Sequence, residues 1–577
     1  MKKKLLPALI VTGLIILVVI IMGITALINK YTPTKKTEDL KEYFNISSDD
    51  EVALIVNNEL SDYKAKIIDK KIYVDYKFVH DSLNSRFYWD ANENVLLYTT
   101  ASDIISAAAD SNSYSVTKQT NDFGYPIVKA TSDSALIALD YVKQYSNITF
   151  KSYDDPARIV ITSKWDEIDS ATVSKPTQVR VKGGIKSPIL KEVKKDDKIT
   201  ILDSGDKWDK VATEDGVIGY IKRKALSESK KTKLTNPDYE EETFTHIKKD
   251  KDICLAWNQV TSQSANSKVP QVISSTKGIN VMSPTWFYLN DNNGNLADIA
   301  SKDYVSYCHS QGIEVWGLFS NFENTDVDAA YVLTHTSTRT TLINQIMSAA
   351  FNYELDGVNI DFENITEAAY GDSYIEFIRE LSIKCHNNGI SLSVDVTVPA
   401  SFNKFFNRSD MAKFADYIVI MGYDEHYKGS DAGSVSSIPW VTEGVESTLK
   451  EVPADQIILG MPFYTRIWEL TPKEDDDAVT DTEDQSKYTV ASQVYSMDAA
   501  AAQLATNNAT AALDEKSGQN YAEWSASNKL YKVWLEDSTS LEKRLKLVDD
   551  NKLAGAAFWK LGFENSSVWD TVIKYLN

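Results

Sequence analysis

Asp356-Gly-Val-Asn-Ile-Asp-Phe-Glu363 is the stretch that decides the fold of this chain. In an extended strand successive side chains point to opposite faces, so Asn359, Asp361 and Glu363 share one face and Val358, Ile360 and Phe362 the other. The apolar set suits packing against helices, which sends the polar set into the interior of a closed sheet. Three polar side chains stacked there cost ~1–3 kcal/mol for each unsatisfied group unless they hydrogen-bond to one another. Glu363, the last of the three, then stands at the C-terminal mouth of a parallel barrel, where such folds carry their reactive groups. A carboxyl that is partly desolvated and beside another carboxylate has a raised pKa and can donate a proton near neutral pH. The expectation is a general acid at Glu363.

Outward from this stretch, short apolar strands alternate with amphipathic helices from about Phe244 to Asn577, the pattern of a parallel βα architecture. The strands expected are Ile253 to Trp257, Gly278 to Met282, Ile313 to Phe319, Leu355 to Asp361, Ser391 to Val396, Tyr417 to Met421, Ile457 to Met461 and Ala554 to Trp559. Helices such as Thr341 to Tyr353 and Ser373 to His386 lie between them. Eight such pairs predict a (β/α)8 TIM barrel over residues 244–577, with residues 468–550 as an insertion before the last strand. The three cysteines, Cys254, Cys308 and Cys385, are far apart and form no CxxC, so neither a disulfide framework nor a zinc ribbon is available.

Several further segments stand in register with the octapeptide: Gly317-Leu-Phe-Ser-Asn-Phe322, Met421-Gly-Tyr-Asp424, Met461-Pro-Phe-Tyr464 with Arg466, and Phe558-Trp559. Together they resemble glycoside hydrolase family 18, the chitinases and related N-acetylglucosaminidases, over roughly residues 250–577. The resemblance implies cleavage of β-1,4 linkages after N-acetylglucosamine, in peptidoglycan, chitin or a related glycan, by a retaining, substrate-assisted route. In that chemistry Glu363 would protonate the glycosidic oxygen while the sugar's own 2-acetamido carbonyl attacks C1. Asp361 would hold the acetamido N–H, Tyr423 would position its carbonyl, and Trp559 would form an apolar floor. The resemblance also places Asn321, Asn359, Met421, Asp424, Tyr464 and Arg466 in the substrate site. It implies no cofactor and no metal, and His426 in Asp424-Glu425-His426 reads as a structural hydrogen-bonder.

One residue departs from the family pattern. Asn359 stands where the family has a middle acid, and an amide hydrogen-bonds but takes up no charge, so Asp361 is expected to ionise more readily than it would beside a second carboxylate. Such an asparagine also appears in relatives linked to bacterial cell walls and spores. A non-catalytic, lectin-like glycan binder on the same barrel is the alternative, and the presence of Glu363, Asp361 and Tyr423 argues against it. A wall scaffold with an incidental barrel is a third reading, in which nothing would depend on Glu363.

Upstream, residues 51–166 repeat the order strand, helix, hairpin, first around Lys71 to Tyr98 and again around Tyr125 to Ile161. This duplicated α+β region resembles the small N-terminal stalk domain of copper amine oxidases, which carries no copper, and reads as a spacer. Residues 177–226 are short β segments around Asp-Gly turns and resemble bacterial SH3-like domains, either holding wall polymers or acting as a rigid spacer. Residues 31–50 and 227–243 read as linkers.

At the N-terminus Lys2, Lys3 and Lys4 precede 25 residues, Leu5 to Asn29, without a charged side chain. As a helix this run is about 38 Å long, enough to cross a hydrocarbon core of roughly 30 Å. An uncleaved anchor is expected rather than a signal peptide, and the lysines place residues 31–577 on the outer, cell-wall side; cleavage would release the chain as a secreted form. Lys+Arg 61 against Asp+Glu 82 gives a net charge of −21, which repels phosphate backbones and excludes nucleic acid as a partner.

Overall fold

The computed structural model describes residues 2–363, 365, 370–473 and 484–576, so residues 474–483 of the expected insertion lie outside it. Two compact units divide the chain. One comprises Met1–Phe87, Ala108–Ser113 and Asp122–Glu241; the other comprises Tyr88–Ala107, Tyr114–Asn121 and Glu242–Asn577.

In the first unit, Lys2–Tyr31 is a single helix whose stretch Pro7–Tyr31 is long and apolar enough to cross a membrane. A seven-stranded sheet follows, in which Glu51–Val56 pairs in parallel with Arg158–Thr162 and antiparallel with Glu59–Ile68. Two strand–helix segments, Lys71–Asp75 with Tyr76–Ser82 and Ala135–Ala138 with Leu139–Tyr145, meet where their strands pair antiparallel, Val74 opposite Ile137. A second sheet of seven antiparallel strands runs from Glu167–Thr172 to Lys230–Lys233 and closes over Val179, Val193, Ile199, Val211 and Ile221.

The second unit is built on eight parallel strands: β1 (Ile253–Asn258), β2 (Val281–Leu289), β3 (Glu314–Ser320), β4 (Gly357–Asp361), β5 (Ser391–Thr397), β6 (Tyr417–Met421), β7 (Ile457–Pro462) and β8 (Gly555–Trp559). Each pairs with the next, and β1 pairs with both β2 and β8, so the barrel closes. Alternation along β4 sorts the two faces as its sequence demands. Val358, Ile360 and Phe362 are buried in the outer core with Ile343, Ile346, Phe377 and Leu381, while the interior below the polar layers is filled by Leu255, Trp316, Leu318, Val419 and Ile458. Gly357 makes room there, since a Cβ at that position would lie 2.5 Å from the Trp316 ring.

The second strand differs from its expected span, Gly278 to Met282. Gly278 has φ +79° and turns the chain, so β2 starts at Val281 and runs past the barrel mouth to pair antiparallel with Leu296–Asp298. Between β7 and β8, five antiparallel strands from Tyr464–Pro472 to Lys529–Leu535 and the helix Met497–Thr506 form a separate small layer. Helix Ser538–Asn551 then packs back on the barrel, where Arg544 pairs with Glu536 at 2.7 Å. All three thiols are buried.

The unit also takes in a sheet that precedes the barrel in sequence by well over a hundred residues. Its strands Phe87–Asp90 and Val95–Thr99 lie on the barrel's outer helices through buried polar contacts. The Asp90 carboxylate accepts from the Thr336 N–H and hydroxyl, both at 2.6 Å, the Tyr88 and Ser373 hydroxyls meet at 2.8 Å, and Thr99 donates to Glu376 at 2.8 Å. Arg339 sits under this contact, fully buried, donating to Glu380 at 2.8 Å with its guanidinium 5.0 Å from the Tyr88 ring. Removing one member of a buried ion pair strands its partner in low dielectric. Arg339→Ala is therefore expected to cost about 3–5 kcal/mol of unfolding free energy, as read by chemical denaturation.

Candidate active site

The site starts one layer below the barrel mouth, at Asn359, which is fully buried. Its carbonyl oxygen accepts from Trp257 Nε1 at 2.9 Å and Ser283 Oγ at 3.0 Å; its amide nitrogen donates to Ser393 Oγ at 3.0 Å and Asp395 Oδ1 at 2.7 Å. Strands β1, β2, β4 and β5 thus meet on one amide. Above it stands Asp361, only 6% exposed, and among the described residues its Oδ1 has no hydrogen-bond partner. Glu363 follows at the mouth, its backbone N–H held by Asn321 Oδ1 at 3.1 Å. Asn321 belongs to the turn after β3 and, like Asn359, supports the cleft from beneath without lining it.

Burial pushes the Asp361 carboxyl well above the usual carboxylate range, with Asp395 the next contributor and Glu363 and Glu323 after it. Glu363, exposed at the mouth, is raised by the partial loss of water around its carboxyl and then by Asp424 and Glu323. Tyr423 is raised by burial and by the carboxylates around it, so its phenol stays protonated. The expectation that Asn359 relieves Asp361 of a neighbouring acid does not hold. A second carboxylate is present, contributed by Asp395 on β5 instead of by position 359.

These groups open on a cleft of about 650 Å³ lined by Asp361, Glu363, Asp395, Met421, Tyr423, Asp424, Tyr464, Arg466 and Trp559, among others. Trp257 ties the floor together, edge-on to Trp559 at 6.1 Å and to Tyr423 at 6.5 Å. Tyr464 donates to Asp424 Oδ1 at 2.6 Å and Arg466 Nη2 lies 3.6 Å from the same oxygen, so the carboxylate after β6 is held from the β7 side. Asp424 itself has φ +59°, a left-handed turn directly after the strand. His426 Nδ1 lies 3.0 Å from the Asp431 carbonyl, a structural contact, and Glu425 accepts from the Ser437 N–H and hydroxyl at the start of helix Ile438–Thr448.

Sequence reasoning missed Asp395, Glu323 and the rim aromatics. Asp395 carries the signal that exposed Asp361: along Ser391 to Val396, Ser393 and Asp395 alternate with Leu392, Val394 and Val396. Glu323, held by Ser320 Oγ at 2.6 Å, lies in a turn with no periodicity to read. Phe402 and Tyr427 line the cleft while 78% and 57% exposed, an apolar surface of the kind that stacks on sugar rings.

Carboxylates and aromatics gathered at the C-terminal mouth of a parallel barrel define the reactive end of a barrel enzyme. The family model described as Glycosyl hydrolases family 18 matches residues 320–564, which hold strands β4 to β8 and most of the cleft. The match begins at the end of β3, and the barrel is completed by the strands before it. Among curated proteins, the uncharacterized glycosylase YvbX of Bacillus subtilis is 24% identical over 301 residues, covering 49% of this chain and 81% of that protein. The cortical fragment-lytic enzyme of the same organism is 24% identical over 287 residues, covering 48% of this chain and 63% of that protein. Among solved structures, a chitinase from Chromobacterium violaceum is 20% identical with a TM-score of 0.49, covering 56% of this chain and 98% of that one.

Replacing the Asn359 amide with an apolar side chain of similar size tests the layer that supports the acids. Asn359→Leu leaves Trp257 Nε1, two serine hydroxyls and Asp395 without their shared partner, at ~1–3 kcal/mol each. Thermal and denaturant unfolding should register a loss of at least about 3 kcal/mol.

Proposed function

We propose that the chain is a membrane-anchored, wall-facing glycosidase that cleaves β-1,4 bonds after N-acetylglucosamine with net retention, using the substrate's acetamido group as the nucleophile. The observation that carries this reading is the pair of acids at the end of β4, buried Asp361 and, two residues on at the mouth, Glu363, both lining an aromatic cleft. Two further observations support it: the names of the glycosylase and cortical fragment-lytic relatives, and the apolar helix Pro7–Tyr31.

In this reaction Glu363 donates its proton to the glycosidic oxygen as the C1–O bond breaks. The acetamido carbonyl oxygen bonds to C1, giving an oxazolinium ion, and the N–H that becomes acidic in that step is accepted by Asp361, whose Oδ1 is unpartnered among the described residues. Tyr423, kept protonated, offers its hydroxyl to the acetamido oxygen. Water then opens the oxazolinium ion while Glu363, now a carboxylate, takes the water's proton, and the β-configuration is restored. Trp559 and Trp257 form the apolar base that excludes water beneath the sugar.

The test is product release from purified peptidoglycan and from chitin oligosaccharides, followed by mass spectrometry. Glu363→Gln keeps the shape of the side chain and removes the proton, so turnover should fall on the order of 100-fold or more. Unchanged turnover would sink the proposal, and binding without turnover by the wild-type chain would favour a glycan-binding role.

The pH profile gives a second expectation. Glu363 must be protonated to act and is raised by partial loss of water and neighbouring acids. Activity should therefore persist above the ordinary glutamate range and fall as pH rises through its raised pKa, a limb absent from the residual rate of Glu363→Gln.

A further inference from the structure

Asp395 takes no part in the steps just described, yet it lies on the cleft floor and is 3% exposed. Strands β4 and β5 pair in parallel with Asn359 opposite Ser393 and Ile360 opposite Val394. Continuing that register brings Asp361 level with Asp395 on strands about 4.8 Å apart, both side chains pointing inward. Two buried carboxylates level with each other on neighbouring strands raise the cost of charging both, which favours a single proton held by the pair. The other titratable groups bearing on the pair are acids and tyrosines: Glu363 two residues past β4, Glu323 after β3, Tyr423 after β6, and Tyr374 from helix Gly371–His386.

The amide of Asn359 makes the pair asymmetric. It donates to Asp395 and not to Asp361, so it favours the charged form of Asp395 and leaves the proton on Asp361 when the cleft is empty. We propose that Asp395 is a further positioning residue of this cleft: it receives the proton of Asp361 when Asp361 engages the acetamido N–H, and so supplies from β5 the acid that position 359 lacks. The transfer balances, since Asp361 becomes a carboxylate as Asp395 becomes neutral and the pair keeps a single negative charge. The inference rests on the glycosidase reading for its consequence in catalysis, but the shared proton belongs to the folded protein alone.

Asp395→Asn separates the proton from the hydrogen bond, because the new amide oxygen still accepts from Asn359 while nothing at 395 can be protonated. If the wild-type chain hydrolyses the glycan, Asp395→Asn should lower kcat about tenfold or more with a smaller change in KM, and should displace the pH profile. The double variant Asn359→Asp with Asp395→Asn returns an acid to the neighbourhood of Asp361 and should recover part of the loss. Equal kcat and an unmoved pH profile in Asp395→Asn would overturn the proposal.

Thermal melting decides the same point without turnover. A carboxyl raised on folding lends stability that is complete below its unfolded pKa of about 3.9 and is lost as pH rises through the folded value. Deleting the Asp395 carboxyl takes away the neighbouring acid's share of that loss and leaves the share that burial alone gives Asp361, so the Tm of Asp395→Asn minus that of the wild type should increase as pH rises above about 4. A difference flat with pH would overturn the shared proton. A silent wild type would count against the glycosidase reading only, with the melting comparison still judging Asp395.

Discussion

Inside the barrel the Asn359 side chain accepts from Trp257 and Ser283 and donates to Ser393 and Asp395, and this fourfold contact is what allows a polar column to stand in a hydrophobic core. A primary amide offers two donor hydrogens and two acceptor lone pairs, and here all of them are used. Nothing is left to desolvate without compensation at the depth where water is excluded. A carboxylate at the same position would have no hydrogen to give Asp395 and would set two acids against each other. The amide thus fixes the first of three layers, and Asp361 and Glu363 are raised above it at the two-residue spacing of a strand.

Charge in the upper layers is governed by burial. Asp361, Asp395 and Glu363 are all pushed upward, first by loss of water and then by one another, and Tyr423 is raised with them. Arg466, the one cationic side chain among the described cleft-lining residues, faces Asp424 at 3.6 Å, and Tyr464 donates to the same carboxylate. The consequence is a division of labour among acids of the same type: Asp424 is clamped by a cation and a hydroxyl, while the acids on β4 and β5 are left where protonation is the cheaper way to neutralise charge. The aromatic base of Trp257, Tyr423 and Trp559 keeps the dielectric low around them.

Much of this was legible in the sequence because a strand has a period of two and a barrel has an inside. The octapeptide placed Asn359, Asp361 and Glu363 on one face, and the segments ending β3, β6, β7 and β8 brought Asn321, Tyr423, Tyr464 and Trp559 to the same end. Asp395 carried the same alternation, but its meaning depends on register, because only the pairing of Asn359 with Ser393 shows that it stands level with Asp361. Trp257 and Ser283 reach Asn359 across the barrel, and no local pattern specifies a cross-barrel contact. The contact of Tyr88, Asp90 and Thr99 with the barrel helices was hidden for a related reason, since the hairpin reads locally as complete and its polar partners lie more than two hundred residues away.

The stereochemistry of the first product tests the account most directly. Proton NMR during the first turnovers on a β-1,4-linked N-acetylglucosamine oligosaccharide reports the anomer released before it mutarotates. Attack by the substrate's own acetamido group followed by water predicts the β-anomer. Release of the α-anomer would mean that water attacks C1 directly from the opposite face, and would contradict the roles given to Asp361 and Tyr423.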